Sequence, residues 1–173
     1  MKKIFFTIVI TVISSAIIYA QALTPNAVIN TPSATFVTKQ VGASNNMTVD
    51  NSKNVYHNKI PKNRNSDITI DRKDKADMLI SFRQVFSKAR LEQLLSERYI
   101  MMTLYVSPTG QVLEVRFLLH NNTLLTALEL ESLENALKKN VVFIFRPEQI
   151  KGEDFIDISW LVPYKRVLDS IPH

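Results

Sequence analysis

The stretch that decides the fold is Tyr99–His120, which reads YIMMTLYVSPTGQVLEVRFLLH. Apolar residues alternate with mixed ones on both sides of a short turn, which is the period of a half-buried β-strand. Pro108 presets φ for the turn, and Gly110 tolerates a positive φ at its exit. The pattern therefore predicts an antiparallel hairpin with a four-residue connection. The register that follows pairs Leu104 with Leu113, Met102 with Val115 and Ile100 with Phe117.

Helical periodicity flanks this hairpin on both sides. Before it, residues 74–99 predict two helical pieces with a break near Ser87. After it, Thr126 and Glu129 fit a capping box at the start of a further helix. The run Phe155–Val162 alternates again and predicts the last strand. The order helix, strand, strand, helix, strand predicts an α+β fold, a small antiparallel three-stranded sheet with the helices on one face.

The N-terminus has the composition of an export signal. Lys2 and Lys3 precede an uncharged apolar run of about 15 residues, which is shorter than the ~20 that a spanning helix needs. Small residues predict cleavage after Ala20 or after Ala22, and both sites stay open. Residues 1–20 are thus predicted to be a cleaved signal peptide, which leaves no stable membrane span. The expected destination is the periplasm or the extracellular surface.

Composition limits what the exported chain can be. It has no cysteine, which excludes disulfides, cysteine metal sites and a lipid-bearing cysteine. The formal net charge of +5 falls to +3 (5 − 2) without the two lysines of the signal, and nucleic acid is not the predicted partner. Residues 21–73 are rich in Asn, Thr and Ser without apolar periodicity, and this composition predicts a flexible linker. Residues 74–173 form the predicted folded domain.

Four successive segments resemble the TonB C-terminal domain. They read YVSPTGQVLEVRF, LTALELESLENALKKN, VFIFRP and FIDISWLVPYK. Gly110 corresponds to the turn glycine, and Phe145-Arg146-Pro147 to the end of a short strand. The resemblance covers about residues 99–166 and implies that fold in an exported protein of a Gram-negative bacterium. The chain also resembles small secreted bacterial proteins that carry a domain of unknown function.

The resemblance does not extend to energy transduction. A TonB transducer keeps its N-terminal helix in the inner membrane, with a Ser and a His four residues apart. Here Ser14 and Ser15 are followed four residues later by Ile18 and Tyr19, and the segment contains no histidine. A transducer also needs a long proline-rich spacer, which this linker is not. Only the fold and the compartment are therefore carried over.

No arrangement of residues predicts catalysis, a cofactor or a metal. Metal binding needs convergent ligands with supporting contacts, and the spacing of the histidines suggests none. The histidines are His57, His120 and His173. Helix capping and a solvated face account for the acidic residues of the predicted helix. These are Glu129, Glu131 and Glu134.

One face of the sheet is a candidate for binding, because it carries more aromatic and apolar groups than a solvated face usually does. Its candidate partner-binding residues are Tyr99, Met101, Tyr105 and Arg116. Either residues 74–87 cover this face, or it binds another molecule. The leading hypothesis is a non-enzymatic, exported protein-interaction module that uses this face or a sheet edge. The alternative is a self-associating structural or envelope-assembly component, such as a homodimer, and the third is a hydrolase. No small-molecule ligand is predicted.

Overall fold

The computed structural model describes residues 21–61, 72–146 and 150–172. The predicted signal peptide and the end of the predicted linker lie outside these residues. The strands are β1 (Val28–Asn30), β2 (Thr35–Gln40), β3 (Asn46–Asn51), β4 (Tyr99–Val106), β5 (Val112–His120) and β6 (Ile156–Pro163). The helices are α1 (Arg72–Val85), α2 (Lys88–Leu94), α3 (Ala127–Asn140) and α4 (Tyr164–Asp169), with a 3-10 turn at Leu95–Glu97.

The described strands form one antiparallel sheet of six strands in the order β1-β2-β3-β5-β4-β6. The fold is α+β, but the prediction of a three-stranded sheet is wrong. The three additional strands come from residues 28–51, inside the stretch that its composition predicts to be a linker. The order of the described strands therefore begins with a meander that docks on β5.

The sequence pattern does not reveal the three additional strands, because each carries only one or two core residues. Ile29, Phe36, Met47 and Val49 are all buried, while the positions between them are mostly Asn, Thr and Lys. Such short alternation is too sparse to stand out from a polar background. These few apolar residues are enough to stabilise the strands once β3 pairs with β5, because the core of β4, β5 and the helices then buries their side chains.

The central hairpin forms, but its predicted register is wrong by two residues. Leu104 lies opposite Val115, and Met102 lies opposite Phe117. The connection is longer than four residues, because the Ser107 N–H donates to the Gln111 carbonyl and a register irregularity follows Tyr105. A shift of two residues keeps every side chain on its predicted face, since side chains alternate with period two.

One core lies between the sheet and the helices. Met78 and Phe82 of α1, Leu91 of α2 and Leu133 of α3 are buried together with Phe117 of the sheet. The capping box predicted for α3 is present, with the Thr126 hydroxyl accepting from the Glu129 N–H and the Glu129 carboxylate accepting in return. No helix among the described residues is long and apolar enough to cross a membrane.

Candidate binding face and edge of the sheet

The four predicted binding residues lie on the sheet face opposite the helices, called the outer face here. Tyr99, Met101 and Tyr105 occupy alternate positions of β4. Arg116 of β5 lies opposite Thr103, which is the β4 residue between Met101 and Tyr105 on this face. The structure thus brings the four side chains to one surface but gives them different surroundings.

A folded segment covers half of the outer face. Residues 52–61 follow β3, and their Tyr56 ring stacks on Tyr105 with the centroids 5.9 Å apart. The Tyr56 ring also packs on Phe155 at 4.9 Å, and Tyr105 is left only 3% exposed. Burial raises the pKa of Tyr105, against the opposing effect of the Arg116 guanidinium. Tyr105 is therefore part of the packing and not a free contact residue.

Arg116 fastens this covering segment to the sheet. Its Nε donates to Asp50 Oδ1 at 2.9 Å, and its Nη2 donates to the His57 carbonyl oxygen at 2.6 Å. A charge-assisted hydrogen bond to a partly buried carboxylate is worth about 1.5–3 kcal/mol. The cover thus comes from the segment after β3, whereas the helix α1, which spans most of the predicted cover at residues 74–87, packs against α3. Local sequence gave no sign of this long-range contact.

The other half of the outer face is open. Tyr99 is 40% exposed and Leu161 of β6 is 45% exposed, with Met101 half-buried between them. Met101 lies opposite Leu161 in the β4–β6 pairing. This half ends at β6, which pairs on its inner side with β4 over its whole length.

The free side of β6 presents alternate backbone groups. The Tyr164 N–H donates to the Arg98 carbonyl at 3.0 Å. Because inward-pointing and outward-pointing residues alternate along an antiparallel strand, this bond determines which residues of β6 direct their backbone groups toward β4. Asp157, Ser159 and Leu161 consequently direct both their N–H and C=O groups away from β4. These groups have no backbone partner in the part of the chain that the structure describes. The alternation of Phe155–Val162 predicted the strand, but only the topology places it at an edge.

The flank of β6 on the helix side is mostly apolar. A shallow crevice runs along it between α1 and the strand; its apolar lining includes Met78, Leu79, Trp160 and Val162, and Arg166 is its one charged lining residue. Trp160 packs on Phe143 at 6.1 Å between ring centroids. A chain added to this edge would therefore find apolar surface on both sides, the crevice on one and Leu161 on the other.

The acidic residues of α3 are engaged in holding elements together. Glu129 accepts hydrogen bonds from Arg90 Nε at 2.6 Å and from the Thr126 N–H at 2.9 Å. Although burial acts to raise the pKa of Glu129, the hydrogen bonds from Arg90 and Thr126 lower it overall. This residue caps its helix as predicted.

The prediction of a solvated face is wrong for Glu131 and Glu134, which are buried. Glu131 accepts from the Ser33 hydroxyl, and Glu134 accepts from Asn51 Nδ2 at 3.4 Å. Burial raises the pKa of Glu134, which the ammonium of Lys138 at 2.8 Å opposes. Both carboxylates thus tie α3 to the N-terminal meander. Within the described residues, no three His, Asp or Glu side chains converge to hold a metal.

The fold defines the class of protein, an α+β protein whose helices pack on one antiparallel sheet. One solved structure with this fold is the crystal structure of a DUF5043 family protein from Bacteroides uniformis, with a TM-score of 0.70. The match covers 81% of this chain and 92% of that chain at 19% sequence identity, so the likeness is one of fold. No protein-family model matches the sequence, and no curated protein matches it either. The comparisons do not confirm the resemblance to the TonB C-terminal domain.

Proposed function

We propose that this chain is an exported, non-enzymatic protein that binds an extended segment of another protein at the free edge of β6. The observation that carries the proposal is the row of outward backbone groups at Asp157, Ser159 and Leu161. An added strand would pair with these groups, and its alternate side chains would contact the crevice beside Trp160 and the exposed Leu161. Affinity would come from the backbone and selectivity from the side chains.

Within the part of the chain that the structure describes, the edge has little of the usual protection against pairing. Natural edge strands are commonly blunted by lysines, bulges, central prolines or very short length. The β4–β6 register is continuous over eight residues, and β6 contains no lysine; its one charged side chain is that of Asp157, near the start of the strand. Its proline, Pro163, stands at the end of the strand. The opposite edge of the described sheet, β1, is only three residues long, so β6 offers much the larger template.

The test uses a library of random peptides selected on the immobilised protein. We expect enriched peptides with alternating apolar residues, and we expect them to protect the amides of Asp157, Ser159 and Leu161 from hydrogen exchange. Ser159→Pro removes one outward N–H without removing a hydrogen bond to β4, and it should abolish binding. Ser159→Ala keeps that N–H and is the matched control. Peptides that bind Ser159→Pro and Ser159→Ala equally well would rule out edge pairing.

Self-association is the second candidate, because β6 is able to pair with its own copy. An antiparallel pair centred on Ser159 matches Asp157 of one chain with Leu161 of the other and satisfies all three outward N–H groups. Sedimentation across a range of concentrations separates the two candidates. A dimer that Ser159→Pro dissociates supports self-pairing. A monomer at every concentration argues against self-pairing and supports binding of another protein at this edge.

Export is the other half of the proposal, and its support is the signal-like sequence before Gln21. The structure bears on where the mature chain starts. The Gln21 carbonyl accepts from the Ala127 N–H at 3.3 Å, Ala22 bridges to Thr126, and Leu23 is 3% exposed. Cleavage after Ala22 would remove the first two contacts and place a charged amino group on a buried residue. We therefore expect the exported protein to begin at Gln21, and mass spectrometry of the periplasmic form would contradict this by finding Leu23.

A further inference from the structure

A groove of mixed polarity crosses the end of the sheet away from the covering segment. One part of it has a cavity volume of about 620 Å³ and lies between the 3-10 turn, the start of β4 and the loop after β5. A second part of about 130 Å³ continues over the outer face toward Met101 and Leu118. Both parts share Glu97, Tyr99 and His120. The two therefore form one continuous depression.

The groove combines an aromatic face with several free polar side chains. Continuing the β4–β5 register by two residues brings Tyr99 beside His120, and Asn46 lies opposite His120 on the other side. Tyr99 is 40% exposed and Leu124 is 47% exposed, which supplies apolar surface on two sides. The side chains of Asn45, His120 and Asn122 are exposed and form no hydrogen bond to a described residue.

Two hydrogen bonds to Glu97 hold the wall of the groove together. The Glu97 carboxylate accepts from the Thr123 hydroxyl at 2.7 Å and also from the Leu124 N–H. These bonds join the 3-10 turn to the loop after β5, so the two sides of the groove hold each other in place. Since the carboxylate is occupied in this way, Glu97 acts as a support and not as the contact for a ligand.

The backbone at Arg98 is strained beside this support. Arg98 has φ +64 and ψ −52, which is close to the rare γ-turn conformation and is costly for a residue with a side chain. Hydrogen bonds hold it on both sides, from its N–H to the Leu95 carbonyl at 3.1 Å and from the Tyr164 N–H to its carbonyl at 3.0 Å. Strain that the surroundings enforce in this way tends to mark functional sites. Here it turns the chain so that Tyr99 enters the groove.

From this geometry we propose that the groove binds a neutral oligosaccharide. An exposed aromatic ring offers a flat apolar surface against which one face of a sugar ring packs. The amides of Asn45 and Asn122 and the imidazole of His120 donate and accept, as hydroxyl groups require. The charges of Glu97 and Arg98 offset each other, so the lining selects neither an anion nor a cation. An open groove accommodates several linked sugar rings, whereas the site of a single small molecule usually encloses most of the ligand's surface.

The experiment follows the amide signals of the full protein while neutral hexasaccharides are added. The probes are hexamers of β-1,4-linked glucose, α-1,4-linked glucose, β-1,4-linked N-acetylglucosamine and α-1,6-linked mannose, with a hexamer of galacturonic acid as the anionic comparison. We expect at least one neutral probe to shift the signals of Asn45, Tyr99 and Asn122 to saturation. The galacturonic acid hexamer should bind more weakly than that probe.

Three variants of the groove and one control away from it complete the test. Tyr99→Ala removes the stacking surface and should weaken binding about tenfold, while Tyr99→Phe should bind like the original. Asn122→Ala should weaken binding by about threefold to tenfold through loss of a hydrogen bond. Ile144→Ala changes another exposed apolar side chain, 68% exposed and away from the groove, and should leave binding unchanged.

Three results would overturn the assignment. The first is the absence of a saturable shift with every neutral probe. The second is binding of the anionic hexamer in preference to all neutral ones. The third is wild-type affinity in Tyr99→Ala. Because the same spectra report folding, a variant that loses binding while its other signals stay in place has lost the site and not the structure.

Discussion

Replacing Gly110 by alanine tests the contact that joins the central hairpin to the chain after α3. Gly110 has φ +89, and a Cβ built on it would lie 1.9 Å from the carbonyl oxygen of Phe143. The Phe143 N–H donates to the Gly110 carbonyl at 2.8 Å. An added methyl group must therefore push the backbone at Phe143 away, and it breaks that hydrogen bond.

The magnitude follows from the separate costs. A left-handed conformation costs an alanine about 1–2 kcal/mol, and the lost hydrogen bond costs about 1 kcal/mol. Phe143 is 3% exposed and packs on Trp160, so its displacement adds a core defect of about 1 kcal/mol or more. We expect Gly110→Ala to lower the free energy of unfolding by about 3–4 kcal/mol. For a protein of this length that corresponds to a fall in Tm of roughly 6–16 °C.

Urea unfolding measures the change, and Gly42→Ala is the matched control. Gly42 has φ +53, but nothing lies within 4 Å of a Cβ built on it. Its substitution therefore carries only the conformational cost of about 1–2 kcal/mol. The difference between the two variants isolates the collision with Phe143. The reasoning is refuted if Gly110→Ala is no less stable than Gly42→Ala.

Three further substitutions test the ion pairs and the strained turn. Glu129→Gln should lower the free energy of unfolding by about 2 kcal/mol at pH 7. Because the pKa of Glu129 is lowered in the fold, its stabilising contribution is present above the unfolded pKa and disappears as the pH falls through the folded pKa. The unfolding curves of variant and wild type should therefore converge in acid. Arg98→Gly should raise the free energy of unfolding by about 1 kcal/mol by relieving the positive φ, and a decrease would contradict the strain. Asp50→Ala should lower the free energy of unfolding by about 2 kcal/mol, because it leaves Arg116 without its carboxylate partner. It should also expose the segment after β3 to cleavage by trypsin at Lys53 and Lys59. Unchanged cleavage would show that the ion pair does not hold the covering segment in place.

Local sequence was sufficient for the hairpin, for α3 and for the last strand. The Thr126 and Glu129 capping box needs only neighbouring residues, and the alternation in Tyr99–Val106 is strong because the core side of β4 is fully apolar. Two of the errors, in register and in strand number, have different causes. The register depends on how the loop closes at Gln111, which is a matter of one hydrogen bond and a bulge. The strand number depends on partners that lie far away in the sequence.

The candidate site was predictable only as a set of residues on one face. Period-two alternation places Tyr99, Met101 and Tyr105 together, and the structure does bring them to one surface. Alternation cannot say which of them another segment covers, because Tyr56 reaches Tyr105 from 49 positions earlier (105 − 56). The edge at β6 and the groove beside His120 are likewise products of topology. Their residues look unremarkable in the sequence.

The cover over Tyr105 also restricts where a partner is able to bind. A partner that used the Arg116 half of the outer face would have to displace the Tyr56 stacking and the Arg116–Asp50 ion pair, at a cost of several kcal/mol. The half that carries Tyr99 and Leu161 requires no such displacement, since nothing among the described residues lies over it. Binding there does not carry that displacement cost. The edge of β6 with the open half, and the groove that begins at Tyr99, are therefore the surfaces on which the two proposals depend. Variants of Tyr105 or Arg116 should change stability before they change binding.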